Sequence, residues 1–402
     1  MTTIVVVQRP EQRDPLIKLL EAEGLSPEPF EGLRRMIRVP GVKPEDFPLK
    51  QHPYVRNISD GDRELKPAAV ETTTVEAIGP GNGGWGPARL IRREDPWAEV
   101  RPYPMEADFH CLRDGSGVDI FIIDSGVEIT HPEFEGRAVQ NWWSSASYGS
   151  TLDDSGHGTH CSTQAIGGTA GLARGARLIS LKFYNSNSGA GESNAVSALG
   201  NVLSQHNRKK LDRPSVLFFS WSGFGTGINA AVEELIDAGV VCCFPAGNDA
   251  TDLDTVVVRP AESDPDNIIC GGLQMRDQAY MTTWNENGTN WGNPVDILAP
   301  AQSTVGARRE VDGGGYRLGN GTSYATPFVA GAVACMLQGY RRLTTRAEVQ
   351  AVKAKLLANA TRGKYRPTRL KNGQLITLPD RILYLDPSVP FEVIPGLTPK
   401  YI

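Results

Sequence analysis

Three short motifs carry side chains that could act together on a carbonyl carbon. Asp124-Ser125-Gly126 follows Val118-Asp119-Ile120-Phe121-Ile122-Ile123. Gly156-His157-Gly158-Thr159-His160 sets a histidine between glycines. Gly321-Thr322-Ser323 opens an apolar stretch that ends near Leu337. A serine hydroxyl attacks a carbonyl when a base takes its proton, and histidine is the side chain whose ordinary pKa suits that task near neutrality. The imidazole needs a carboxylate on its other nitrogen to fix the tautomer. The charge that develops on the carbonyl oxygen needs donors already in place. Asn248, in Pro245-Ala246-Gly247-Asn248, offers a side-chain amide, and the Ser323 N–H offers a second donor. Each motif also has a plainer reading. Ser323 can be a helix N-cap, Asp-Ser-Gly a turn, and Gly-His-Gly a tight bend.

The elements that would hold these residues alternate. Val118 to Ile123, Arg177 to Leu181, Ser215 to Ser220 and Val240 to Phe244 read as buried strands. Asn194 to Gln205, Ile228 to Ala238 and Thr345 to Ala358 read as helices. This order predicts an α/β domain with a mostly parallel sheet and helices on both faces. Ligands on such sheets bind beyond the carboxyl ends of the strands, where Asp124, the Ser220 segment and Asn248 fall. The apolar Phe328 to Leu337 predicts a helix buried on all sides.

Residues 1–62 read as a small α+β unit with strands at Ile4 to Val7, Leu33 to Val39 and Tyr54 to Ile58. A helix closes at Gly24 and a second, short one is expected within Pro44 to Leu49. The resulting βαββαβ order is ferredoxin-like. Residues 63–84 are rich in breakers and read as a linker open to cleavage. Residues 85–386 hold the α/β domain. The tail, 387–402, contains four prolines with Phe391, Val393, Ile394 and Leu397, and is expected to pack on its own domain rather than offer a partner an apolar strip.

Composition narrows the partners. Of the 402 residues 40% are hydrophobic, and the net charge is −5, so neither nucleic acid nor an anionic membrane is expected. No apolar run reaches transmembrane length. The start, Met1-Thr2-Thr3-Ile4, shows no secretory signal pattern, which leaves the compartment open. The six cysteines lack metal-ligand spacing and read as buried thiols rather than bridges.

In the order Asp, His, Asn, Ser, the motifs resemble those of the subtilisin-like serine proteases, the subtilase (peptidase S8) superfamily. Asp124-Ser125-Gly126-Val127 is followed by His131-Pro132-Glu133-Phe134, as in the family's aspartate motif. Gly156 to Cys161 is similar to the histidine motif, Gly321 to Gly331 to the serine motif, and Asp296-Ile297-Leu298-Ala299-Pro300 to a further family segment. Trp85 to Ile91 and Cys161 resemble the proteinase K-like branch.

The resemblance implies a subtilisin-like fold with Ser323 as nucleophile, His157 as base then acid, Asp124 as its carboxylate and Asn248 as oxyanion donor. It implies no cofactor for catalysis. A polypeptide substrate would add as a strand between Gly189-Ala190-Gly191 and Ser220-Trp221-Ser222-Gly223, with Ala246 and Gly247 nearby. Ser222 stands where the family usually has glycine, which would narrow the pocket for the residue before the scissile bond. A structural calcium ion would take Asp296 and the carbonyls of Pro265 and Asn267. Residues 1–62 resemble an inhibitory pro-domain, cut from the enzyme between Asp62 and Gly84. The alternative is a binding or assembly protein held shut by an uncut N-terminal unit, for instance in a virion.

Overall fold

The computed structural model describes residues 1–402 except 64–65, 68–69, 76–83, 96, 98–107, 138, 146–147, 210, 282–286, 371–372 and 401–402. At the N-terminus β1 (Thr2–Val7), β2 (Glu28–Pro29), β3 (Met36–Pro40) and β4 (Val55–Asp60) form an antiparallel sheet in the order β2-β3-β1-β4. Its two faces have different partners, as strand alternation requires. Val5, Val7, Ile37 and Val39 pack with Leu16 and Leu20 of α1 (Arg13–Ala22). Ile4, Val6 and Met36 belong instead to the main core of the chain. The helix expected within Pro44 to Leu49 is only a 3₁₀ turn, Pro44–Asp46. Pro48 forbids its continuation, because the residue before a proline is driven out of the helical region and Phe47 lies there, extended.

The segment expected to be an open linker carries two strands, β5 (Lys66–Pro67) and β6 (Val70–Val75). Most of the span in which a processing bond is expected lies outside the described residues. Helix α2 (Trp85–Leu90) is buried, with the Trp85 indole donating to the Gln302 carbonyl at 3.0 Å.

The main sheet is built from β7 (Asp119–Asp124), β8 (Val139–Ser144), β9 (Arg177–Lys182), β10 (Ser215–Phe218), β12 (Val241–Pro245), β13 (Ile268–Gln274), β14 (Gln278–Ala279) and β15 (Ile297–Pro300); the short β11 (Trp221–Ser222) lies outside it. The strand order is β14-β13-β12-β10-β7-β9-β8, with β15 on β13, and every pair is parallel except β13–β14. Three helices match the expected pattern, α4 (Glu192–Arg208), α5 (Ile228–Asp237) and α7 (Arg346–Asn359), and α3 (His157–Ile166) is a fourth that was not expected. The fifth, α6 (Thr322–Leu337), is buried along its whole length. It crosses α3 closely at Gly331, where a Cβ would meet the Ala165 carbonyl oxygen at 3.0 Å and the Leu172 Cβ at 3.1 Å. Hairpin β16 (Thr304–Ala307) and β17 (Tyr316–Asn320) leads into α6, and β6 adds to it as a third strand.

The tail packs on its own domain. Ile394 and Leu397 join the core, Phe391 stacks on Tyr340 at 5.2 Å, and Glu392 pairs with Arg113 at 2.8 Å. All six cysteines are free thiols, five of them buried. Among the described residues no helix is long and apolar enough to cross a membrane.

Candidate active site

Asp124 is the last residue of β7 and is fully buried. Both its carboxylate oxygens lie on His157 Nδ1, at 2.8 and 2.9 Å, and Oδ1 also accepts from the Ser125 N–H at 2.7 Å. His157 opens α3, not an isolated bend. The two loops can meet because position 158 is glycine: a Cβ there would sit 2.1 Å from the Gly126 carbonyl oxygen and 3.2 Å from Asp124 Cβ.

Burial opposes the imidazolium, yet the Asp124 carboxylate outweighs it, and His157 is raised well above the ordinary histidine range. Cys161 lies beneath the ring, with Sγ 3.9 Å from Nδ1 and 3.8 Å from Nε2. Burial pushes that thiol up, so it is neutral at pH 7 and the carboxylate is the source of the effect.

Ser323 is the second residue of α6, buried behind Gly321. Its hydroxyl donates to the Ser220 carbonyl at 2.9 Å, and the Ser220 hydroxyl returns a bond to the Ser323 carbonyl at 2.9 Å. That carbonyl is free for a side chain because residue 327, four further on, is proline and has no N–H to offer it. The Cys161 thiol also donates to it, at 3.5 Å. Pro327 thus lets two side chains brace the turn that carries the serine.

Asn248 follows β12. Its Oδ1 accepts from the Thr322 N–H at 2.9 Å and the Thr322 hydroxyl at 3.0 Å, which fixes the orientation of its amide beside the mouth of α6. Neighbouring Ala246 donates its N–H to the Cys270 carbonyl and accepts from the Asn290 amide, both at 2.8 Å. Gly247 has φ +102°. Trp221 is buried, with its ring edge-on to His157 at 5.7 Å and tilted on Tyr184 at 4.5 Å. Gly189 bridges to Asn185, and its carbonyl accepts from the Tyr148 hydroxyl at 3.0 Å. Ala190 and Gly191 lead into α4, where the Ser193 N–H donates to the Gly61 carbonyl at 2.8 Å.

Both segments expected to flank a substrate therefore meet the N-terminal part of this chain. β11 pairs antiparallel with β5, Trp221 opposite Pro67 and Ser222 opposite Lys66.

Three positioning residues escape a sequence reading. The buried carboxylate of Asp153 accepts from the Ser125 hydroxyl at 2.7 Å, the Gly156 N–H at 2.8 Å and the Thr159 N–H at 2.9 Å, joining the aspartate and histidine loops. Burial opposes its charge, but these donors, led by the Thr159 hydroxyl, hold it below the usual carboxylate range. Lys182 reaches the Ser125 carbonyl at 2.6 Å and Asp154 at 2.9 Å. Asn290 accepts from the Asp249 and Thr251 N–H groups at 3.0 and 2.9 Å, and so shapes the Asn248 loop.

The expected calcium ligands do converge, but on a different cation. Asp296 Oδ2 and the carbonyls of Pro265 and Asn267 all bind the Lys353 ammonium, at 2.7, 3.0 and 2.5 Å. Occupied in this way, the donor set does not fit a divalent ion, whose own position the ammonium takes.

A buried Asp–His pair and a serine at a helix mouth, at the carboxyl edge of a parallel sheet, define the site class of a serine hydrolase. Residues 115–374 match the Subtilase family (Peptidase S8), and the chain belongs to that family. Subtilisin-like protease 5 of Arthroderma benhamiae is 33% identical over 255 residues, covering 63% of this chain and 58% of that protein. The chain thus spans under three fifths of the first curated relatives it matches. The extracellular serine proteinase of Thermus sp. strain Rt41A is 28% identical over 80% of this chain and 71% of its own length. Among solved structures, a cold-adapted subtilisin-like serine proteinase matches at 25% identity with a TM-score of 0.59, covering 76% of this chain and 98% of the other. Fervidolysin from Fervidobacterium pennivorans, a keratinolytic enzyme related to subtilisin, matches in fold, with a TM-score of 0.63 at 17% identity, over 96% of this chain and 60% of its own.

Proposed function

We propose that this chain is a serine endopeptidase made as a precursor that cuts itself, with residues 1–62 as its inhibitory pro-domain. The single observation that carries the proposal is the pairing of Lys66–Pro67 with Trp221–Ser222, which sets a polypeptide strand beside Ser323. In catalysis the Ser323 hydroxyl turns from the Ser220 carbonyl to His157 Nε2, gives up its proton and attacks the carbonyl carbon. The oxyanion meets the Ser323 N–H and the Asn248 amide. His157 passes the proton to the leaving amine, and water then releases the acyl group from Ser323 by the reverse proton path.

The register supports a particular bond. Antiparallel pairs alternate between those that exchange both N–H···O bonds and those that exchange none. Pro67 has no N–H, so its pair with Trp221 is of the second kind. The neighbouring pair, Lys66 with Ser222, is then of the first kind, and a substrate strand continued in the same register would set the residue before the cut opposite Ser220. Ser220 carries the carbonyl on which the Ser323 hydroxyl rests. Counting along the sequence, the bond after residue 68, Ala68–Ala69, is the one to be cut. A small residue before that bond agrees with Ser222 standing where the family usually has glycine. Ala68 and Ala69 themselves lie outside the described residues.

Both α4 and α5 hold the pro-domain: Arg38 reaches the Ser197 hydroxyl at 2.5 Å, and α5 contributes two glutamates. Glu234 accepts the Arg34 and Arg35 N–H groups at 2.8 and 3.1 Å, and Glu233 pairs with Arg35 and Arg56, each at 3.1 Å.

A fluorophosphonate probe tests the proposal. After incubation the purified protein is expected to carry one label, on Ser323, and to hydrolyse a peptide with small residues at the cut. Absence of label on a chain that has already been cut would overturn the assignment. A full-length chain that resists the probe would favour the autoinhibited binding protein.

Cys161 offers a further expectation. Asp124, His157 and Cys161 present ligand atoms within 4.8 Å of one another, and a thiol so placed can hold a soft metal against the base. Mercuric chloride is expected to block labelling of Ser323 in the wild type, and Cys161→Ser to restore it. Equal sensitivity in both proteins would refute this role.

A further inference from the structure

We propose that Lys353 is a built-in cation that does the structural work of a bound metal ion, tying α7 to the loop before β13 and to the start of β15. Its ammonium has three N–H donors and meets three acceptors: Asp296 Oδ2 at 2.7 Å, the Asn267 carbonyl at 2.5 Å and the Pro265 carbonyl at 3.0 Å. Donors and acceptors are matched one to one. The acceptors come from two segments, one on each side of the β13–β15 pairing, and the lysine joins both to α7.

The surroundings are prepared for a cation. Asp296 and Lys353 side chains are 13% and 16% exposed, so the pair is largely withdrawn from solvent. Asp296 Oδ2 also accepts from the Ile269 N–H at 2.9 Å, and its main-chain carbonyl accepts from Arg381 at 2.6 Å. One carboxylate and two carbonyls balance a single positive charge. Calcium instead gathers six to eight oxygens at about 2.3–2.6 Å and would bring a second charge. It could enter only by expelling the ammonium from the point where these oxygens converge. The lysine pays no association entropy, since it is carried on the chain. Stability at this point is thereby uncoupled from the metal content of the surroundings.

Arg346, one helical stretch earlier on α7, extends the same logic. Its guanidinium reaches Asp264 at 2.8 Å, Asp266 at 2.7 Å and Asp237 at 2.7 Å. The α7 face thus presents two fixed cations to the segment 264–267.

The test is thermal unfolding of the full chain in a Ser323→Ala background, which prevents self-digestion. Lys353→Met and Asp296→Asn are each expected to lower Tm by roughly 4–6 °C. The double variant is expected to lose no more than the larger single, because both remove one shared interaction. EDTA and calcium chloride are each expected to affect the parent and Asp296→Asn alike. A Tm that rises with calcium in the parent but not in Asp296→Asn would overturn the proposal, and so would an unchanged Tm in Lys353→Met. If Lys353→Met does not fold, reductive methylation of the parent decides: Lys353 is expected to be protected relative to Lys364, and equal labelling would refute the contact.

Discussion

Asp124→Asn is expected to lower kcat by about 10⁴-fold while leaving KM and the fold nearly unchanged. Both carboxylate oxygens of Asp124 face His157 Nδ1, so this nitrogen carries the proton and Nε2 is left free to accept from Ser323. An asparagine that keeps its carbonyl on the Ser125 N–H turns its NH₂ towards Nδ1, which favours the opposite tautomer. The base then has no lone pair where the hydroxyl needs one. The pH profile should move as well. In the wild type, burial works against the charged imidazole and Asp124 overrides it, leaving the pKa raised. Activity that needs neutral His157 therefore rises with pH through a value above the ordinary one. The same shift contributes stability that is fully present below the ordinary histidine pKa and is lost as pH rises through the folded value. Without the carboxylate, burial is the largest influence left, and the acid limb should shift to lower pH. Steady-state rates from pH 5 to 10 check both effects. A limb that stays in place would mean that Asp124 does not set the base.

Asp124, His157 and Ser323, the proposed triad, stand out in the sequence because each has a chemical type that few positions can replace, next to glycines that permit close approach. The strands were legible for a different reason: buried parallel strands read as apolar runs, such as Ile120 to Ile123. The residues that hold these groups in place gave no such signal. Asp153 and Lys182 each look like surface charges in sequence, and Asn290 like part of a turn; their meaning lies in partners brought in from other loops, such as Ser125 for both Asp153 and Lys182. Lys353 is a sharper case. It sits in a helix of mixed charge, where a solvated lysine is the ordinary expectation, and its three acceptors are supplied by loops more than fifty positions earlier. The strand Val70–Val75 was missed although Val-Glu-Thr-Thr-Thr-Val is rich in β-branched residues. Low hydrophobicity outweighed that propensity because the partner strand, Tyr316–Asn320, lies far along the chain.

Ser323→Ala is expected to remain a single species of full-length mass, while the wild type separates into residues 1–68 and a fragment beginning at Ala69. Peptide hydrolysis should fall by about 10⁴-fold or more with it. The two effects belong together if one hydroxyl performs both reactions. The strand geometry argues that the first cut is intramolecular: β5 lies on β11, and β6, just beyond the proposed bond, lies on the strand that leads into Ser323. A strand already paired on both sides of the nucleophile meets it at an effective concentration no second molecule reaches. Wild-type processing should accordingly keep its half-time when the protein is diluted a hundredfold, as intact-mass time courses would record. A half-time that lengthens with dilution would assign the cut to a neighbouring molecule. Ala69→Pro separates recognition from chemistry. It leaves every group of the site in place but replaces the bond by a tertiary amide, whose ring restricts residue 68 and removes the N–H of the leaving side. That chain should stay full length, whereas added wild-type enzyme should still cut its other exposed segments. Cleavage of Ala69→Pro at an unchanged rate would place the processing bond elsewhere in the span from Asp62 to Gly84 and leave the role of Ser323 untouched.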